Sequence, residues 1–201
     1  MTPVATLFPV FLKLRHRKVV VVGGGNVAAS RIEALSAAGA DITVVAPVIA
    51  PAIRAAGVTI VSRGFTPTDL DGAWLAVAAA TLAVNRDVRA AAEARRLFVN
   101  AVDDPDTASA YTGGVFRRGA VTIAVSTGGA APALAGLLRE GLEAIVPEDV
   151  ETWVREARAL RRRQRAEGVP LAARRPLLLE ALNALYAERA APVEGRHEAG
   201  P

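Results

Sequence analysis

VVVVGGGNVAAS, residues 19–30, decides the fold. The hydrophobic run from Lys18 to Gly25 reads as a buried strand, and the small residues that follow open a helix. Gly23, Gly25 and Ala28 keep the G-x-G-x-x-G/A spacing of a dinucleotide-binding turn. Each position has a physical task. Gly23 permits the tight turn, Gly25 lets the backbone approach a pyrophosphate, and Ala28 lets the helix pack closely on the strand. The N-terminus of the helix offers free N–H groups and the positive end of its dipole to phosphates.

Outward from this turn, apolar bursts alternate with helical stretches. After the helix over 26–39, closed by Gly39, strands are expected at 41–47, 58–65, 73–80 and 98–104. Between them lie a short helix at 48–56, a turn or short helix at 66–72 and a helix at 84–97. This alternation predicts βαβ units and a parallel sheet, an α/β Rossmann-like domain over residues 1–112. The pattern then changes. A strand at 120–127, paired with 114–117, leads through a glycine-rich loop into a helix that Pro132 starts and Pro147 ends. Residues 113–147 form this middle segment. Residues 148–190 form a small helical domain, and 191–201 read as a disordered tail.

Composition narrows the chemistry. The 201 residues are 52% hydrophobic, largely Ala and Val, and 4% aromatic, which predicts a core of small side chains. The absence of cysteine excludes disulfides, thiolate zinc, iron–sulfur ligation and a Cys nucleophile. With two histidines, His16 and His197, a His-rich metal site is excluded too. No apolar run approaches the ~18 residues of a membrane span, and no basic segment precedes an apolar signal core. A cytoplasmic protein that does not engage a membrane is the expectation. The net charge is +4, with clusters at Lys13–Lys18 and Arg155–Arg165. Such clusters suit anionic partners or plain solvated faces. No nucleic-acid recognition motif accompanies them.

One element of a dinucleotide site is missing. An acid at the end of the second strand ordinarily holds the adenosine ribose, but this chain has Val45-Ala46-Pro47-Val48 there. No Arg at 46–48 claims a 2′-phosphate either. The choice between NAD and NADP stays open at this point.

Several segments together resemble the precorrin-2 dehydrogenase and sirohydrochlorin ferrochelatase family, which includes the N-terminal module of siroheme synthase. They are PVFLKLRHRKVVVVGGGNVAASR, ITVVAP, AWLAVAAAT, RRLFVNAVDDP and IAVSTGGAAPALAGLLRE, in family order over roughly residues 8–145. The resemblance implies NAD-dependent oxidation of precorrin-2 to sirohydrochlorin, with insertion of Fe²⁺ or Co²⁺ as a second activity in some members. It implies an intertwined homodimer, with 113–147 as the dimerisation segment. By position it places Gly23, Gly25, Asn26, Val27, Pro47 and Val48 at NAD. It places Asp103, in NAVDDP, on the catalytic aspartate.

The chemistry agrees. Such a reaction needs a nicotinamide and a group that takes or relays a proton. Asp103 sits at the C-terminal end of the fifth strand, where such sheets bind ligands. A polycarboxylate substrate needs a basic pocket. Lys13, Arg15, Arg17, Arg117, Arg118 and Arg139 are candidates, with Arg15, Arg117 and Arg139 foremost. Ser126, Thr127 and Gly128 offer either N–H groups for another carboxylate or a simple helix cap. No protein metal site is expected, because the macrocycle supplies its own nitrogens.

The sequence also departs from the family. Ser30-Arg31 replaces a basic pair, Ala80-Thr81-Leu82-Ala83 lacks acids common after the fourth strand, and Ala110 and Gly113 replace a Phe and a Pro. Thr127 stands where siroheme synthase has a serine able to carry phosphate. A nucleotide-sensing regulatory module without catalysis is the alternative. It would share the glycine turn but need neither Asp103 nor the S-T-G-G segment.

Overall fold

The valine run forms the central strand of a five-stranded parallel sheet. The computed structural model describes residues 7–101 and 108–190. Asp103 and the 191–201 tail therefore lie outside the described residues. Strands β1 (Lys18–Val22), β2 (Asp41–Val45), β3 (Thr59–Val61), β4 (Leu75–Ala78) and β5 (Val99–Ala101) are ordered β3-β2-β1-β4-β5. All neighbouring pairs are parallel, with Val22 opposite Val45 on one side and Ala78 on the other.

Alternation along β1 explains why four valines are needed. Val19 and Val21 pack in one core with Ala28, Ile32 and Leu35 of α1 (Asn26–Ala37) and with Ile53 of α2 (Pro51–Ala55). Val20 and Val22 pack in the other with Val88, Ala91 and Ala92 of α3 (Leu82–Glu93). A strand covered on both faces has no solvent side, so no polar residue alternates with the valines. Burial of each such side chain contributes roughly 1.5–3 kcal/mol before entropy costs are set against it.

Element ends follow local chemistry. β1 stops at Val22 rather than running on to residue 25, because the glycines turn the chain. α1 closes on Gly39 at φ +72°, the left-handed cap expected there. α3 starts at Leu82, earlier than expected, because Thr81 caps it; its Oγ1 accepts from Val84 N at 3.5 Å. Pro67–Leu70 is a single 3₁₀ turn closed by a Thr66–Asp69 capping box.

The chain divides into two compact units, Met1–Gly114 with Val125–Gly136, and Val115–Ala124 with Leu137–Pro201. The parallel sheet belongs to the first. Strands β6 (Gly114–Arg118) and β7 (Val121–Val125) form a two-stranded sheet whose turn, Gly119, has φ +54°. In the second unit Glu151 Oε2 accepts from Ala120 N at 3.0 Å and Arg118 donates to the Val146 carbonyl. Helices α5 (Val150–Ala166) and α6 (Leu171–Ala190) pack together, preceded by α4 (Pro132–Ile145). Val150 is buried and Trp153, Val154, Ala157 and Leu160 are half-buried, while the α5 arginines are exposed. Among the described residues, no helix is long and apolar enough to cross a membrane.

Candidate dinucleotide site

The crevice of a doubly wound sheet opens at the carboxyl ends of its strands, where the order reverses between β1 and β4. Gly23, Gly24 and Gly25 stand there. Gly23 has φ +130°, and a Cβ on it would lie 2.2 Å from the Ala79 carbonyl oxygen after β4. Its N–H donates to Val45 O at 3.0 Å. A Cβ on Gly24 would lie 1.9 Å from Val48 O, and Gly24 O accepts from Ala50 N at 2.8 Å. These two glycines thus seat the turn against the ends of β2 and β4.

Gly25 differs. A Cβ on it would meet nothing within 4 Å, so its lack of a side chain is not demanded by the protein's own packing. It is the N-cap of α1 with no side-chain cap, and the first intrahelical bond is Ala29 N to Gly25 O at 3.0 Å. The first-turn amides of Asn26, Val27 and Ala28 therefore have no intrahelical acceptor. Asn26 and Val27 are exposed and Ala28 is buried. Pro47 and Val48, also exposed, border the turn from β2. Open backbone at Gly25 and free amides at a helix N-terminus fit a pyrophosphate.

The far wall is built by a residue outside the glycine motif. Asn85 is 2% exposed, and its Oδ1 accepts from Ala80 N at 3.0 Å, fixing the β4–α3 turn whose Ala79 carbonyl abuts Gly23. A polar residue three before buried Val88 on the core face of a helix was the available signal. Gly24 is the other functional position that motif spacing does not single out, since it occupies the free x of G-x-G.

The segment carrying Asp103 lies in sequence between Ala101, which ends β5, and Ala108. Its described ends are fastened together. Val99 N donates to Ser109 Oγ at 2.8 Å, Val99 O accepts from both Ser109 N and Ala110 N at 2.9 Å, and Asn100 Nδ2 donates to Ala110 O at 3.0 Å.

The expected carboxylate-binding residues fall in both units. Arg15 precedes β1, packed by Gly39, at the opposite edge of the sheet from the glycine turn. The five residues of β1 separate the two by roughly 16 Å. Arg17, at the same edge, stacks 3.8 Å from the Trp74 ring. In the second unit Arg117 is exposed on β6, and Arg139 is paired with Glu143 at 2.6 Å and Glu140 at 2.9 Å. Thr127 Oγ1 accepts from Ala131 N at 3.1 Å and Ser126 Oγ from Gly128 N at 3.2 Å. Thr127 and Ser126 thus serve as local caps of the turn into α4, and their side chains occupy two of its amides.

Asp69 has a strongly lowered pKa, about 2, chiefly because the Arg63 guanidinium donates to it. The contacts are 2.6 Å to Oδ1 and 2.8 Å to Oδ2, and Thr66 N adds a third donor at 2.8 Å.

Comparison with known proteins bears on the family and the fold. Residues 10–114 match a family model described as "Putative NAD(P)-binding", and 118–145 match one described as "Sirohaem biosynthesis protein central". The chain is 41% identical over 172 residues to siroheme synthase 2 of Cronobacter sakazakii, covering 83% of this chain and 38% of that protein. It is 38% identical over 195 residues to the siroheme synthase of Sodalis glossinidius, covering 94% and 41%. The chain thus spans about two fifths of the length of these curated relatives. The solved structure of SirC, precorrin-2 dehydrogenase, superposes with a TM-score of 0.70 at 30% identity, covering 87% of this chain and 88% of that one.

Fold and cradle define a Rossmann protein that binds a nicotinamide dinucleotide. The chain belongs to the precorrin-2 dehydrogenase family, which includes the N-terminal module of siroheme synthase.

Proposed function

We propose that this protein oxidises precorrin-2 to sirohydrochlorin with NAD. The observation that carries the reading is the cradle at the switch point, with Gly25 open to a ligand, in a chain of this family. When bound, the nicotinamide accepts the hydride removed from the reduced macrocycle. The chain's own residues do the rest. Gly23 and Gly24 hold the turn in register with β2 and β4, and the first-turn amides of α1 hold the pyrophosphate. Asp103, aligned with the family aspartate and two residues beyond β5 in sequence, takes the proton lost with the hydride. The products are sirohydrochlorin, NADH and a proton.

Arg15, Arg117 and Arg139 remain the proposed partners of substrate carboxylates, with the Ser126, Thr127 and Gly128 segment as a further candidate. The wide separation of Arg15 from the turn in one chain fits a site completed by a second copy. Exposed Leu134, Leu137, Leu138 and Ile145 on α4 support a homodimer through 113–147. Insertion of Fe²⁺ or Co²⁺ into sirohydrochlorin is a proposed second activity, in which Asp103 would take pyrrole protons. The reading puts the enzyme in the cytoplasm.

Anaerobic precorrin-2 and NAD test it directly. The expected result is NADH formation with the visible spectrum of sirohydrochlorin. Folded protein that binds NAD yet forms no NADH would favour a regulatory module instead. Adding Fe²⁺ or Co²⁺ to sirohydrochlorin tests metal insertion, and sedimentation tests the dimer.

A further inference from the structure

The end of β2 holds the adenosine ribose in a doubly wound domain, yet Ala46-Pro47-Val48-Ile49-Ala50 contains neither acid nor base. Discrimination between NAD and NADP must come from elsewhere. β3 pairs with β2 in register, Val61 opposite Val45, so the two strands end side by side about 5 Å apart. Among residues 61–65, just past that end, Arg63 is the one charged side chain. A free guanidinium there would suit a ribose 2′-phosphate.

Arg63 is not free. It is bound through both terminal nitrogens to Asp69, at 2.6 and 2.8 Å, and Nη1 also donates to Gly64 O at 2.9 Å. Asp69 is itself anchored. Its side chain is 10% exposed and accepts from Thr66 N, while its carbonyl accepts from Lys18 Nζ at 3.1 Å. Lys18 begins β1 at the opposite edge of the sheet. The guanidinium is therefore neutralised by an anchored carboxylate.

We propose that the Arg63–Asp69 pair sets cofactor choice, withholding from the 2′ position the cation that would admit NADP. This rests on the reading of the glycine turn as the dinucleotide cradle. The test is titration of the full chain with NAD⁺ and with NADP⁺, read by calorimetry. In Asp69→Asn, which keeps an oxygen for the Thr66 amide, the affinity for NADP⁺ relative to NAD⁺ should rise about tenfold. Arg63→Met together with Asp69→Asn should return the ratio to that of the unaltered protein. Asp69→Ser, with a shorter oxygen-bearing side chain, is the second variant should Asp69→Asn fold poorly. A folded Asp69 variant that binds NAD⁺ normally with an unchanged ratio overturns the proposal alone. Unaltered protein that binds neither dinucleotide overturns the cradle reading, and this proposal with it.

Discussion

The Val48 carbonyl oxygen stands 1.9 Å from the place a Cβ on Gly24 would occupy, whereas the same construction at Gly25 meets nothing within 4 Å. Adjacent glycines in one turn thus differ: the protein's own packing demands one and leaves the other open.

This contrast gives the first prediction. Gly24→Ala must displace backbone, because a carbonyl cannot swing aside like a side-chain tip. A loss of about 1–3 kcal/mol in thermal or denaturant unfolding is expected, with weaker dinucleotide binding. Gly25→Ala should melt within about 0.5 kcal/mol of the parent and still bind less well. Gly25→Asp should bind no dinucleotide, through steric and charge conflict with the pyrophosphate. Equal melting losses for Gly24→Ala and Gly25→Ala would disprove the assignment.

Asn85 yields the second. Asn85→Ala removes the acceptor of the Ala80 amide from a site that is 2% exposed. A partly buried donor left without a partner costs about 1–3 kcal/mol. Urea unfolding should register that loss, and NAD affinity should fall as the Ala79 carbonyl wall loosens. Asn85→Asp, which keeps an oxygen acceptor, should recover part of the binding.

The third concerns acid stability. Asp69 ionises near pH 2 in the fold, against an ordinary value of 3.8, because Arg63 and Thr66 donate to the carboxylate. The unfolded chain therefore binds this proton first as pH falls. The stabilisation from Asp69 is complete above about pH 4 and is lost progressively between there and pH 2. Unfolding free energy measured across that window should have a shallower slope in Asp69→Asn. An unchanged slope would show that the pair contributes nothing to acid stability.

Asp103 supplies the fourth. Asp103→Ala should abolish NADH formation while leaving NAD titration within about twofold of the parent, since the cradle lies on β1, β2 and β4. A fully active variant would remove Asp103 from the chemistry.

Much of the fold was legible in Val19–Val22 and the glycines after them. A continuous apolar run can be accommodated only by a strand covered on both sides, and the Gly23-x-Gly25 spacing located the crevice. Gly24 was not legible, because it matters through the Val48 carbonyl that follows a different strand, which no local pattern encodes. Asn85 was signalled only by a polar residue on the core face of α3, and its bond to the Ala80 amide five residues back shows only in the folded turn. Arg15 shows the converse. It lies eight residues before Gly23, yet an extended strand carries that short interval to the far edge of the sheet. Proximity in sequence misleads most where the chain is straightest. The Arg63–Asp69 pair lay hidden for a similar reason, because charged residues six apart say nothing until a turn folds one back on the other.

Each compact unit is made of two separate stretches of the chain. The path leaves the first after Gly114, returns at Val125 and leaves again after Gly136. No single cut can therefore release either unit whole. A gene fragment ending at Gly114 would lack Val125–Gly136, and one beginning at Leu137 would lack the hairpin strands of Val115–Ala124. Recombination that exchanges the nucleotide-binding part between relatives would have to carry both of its stretches, Met1–Gly114 and Val125–Gly136, together.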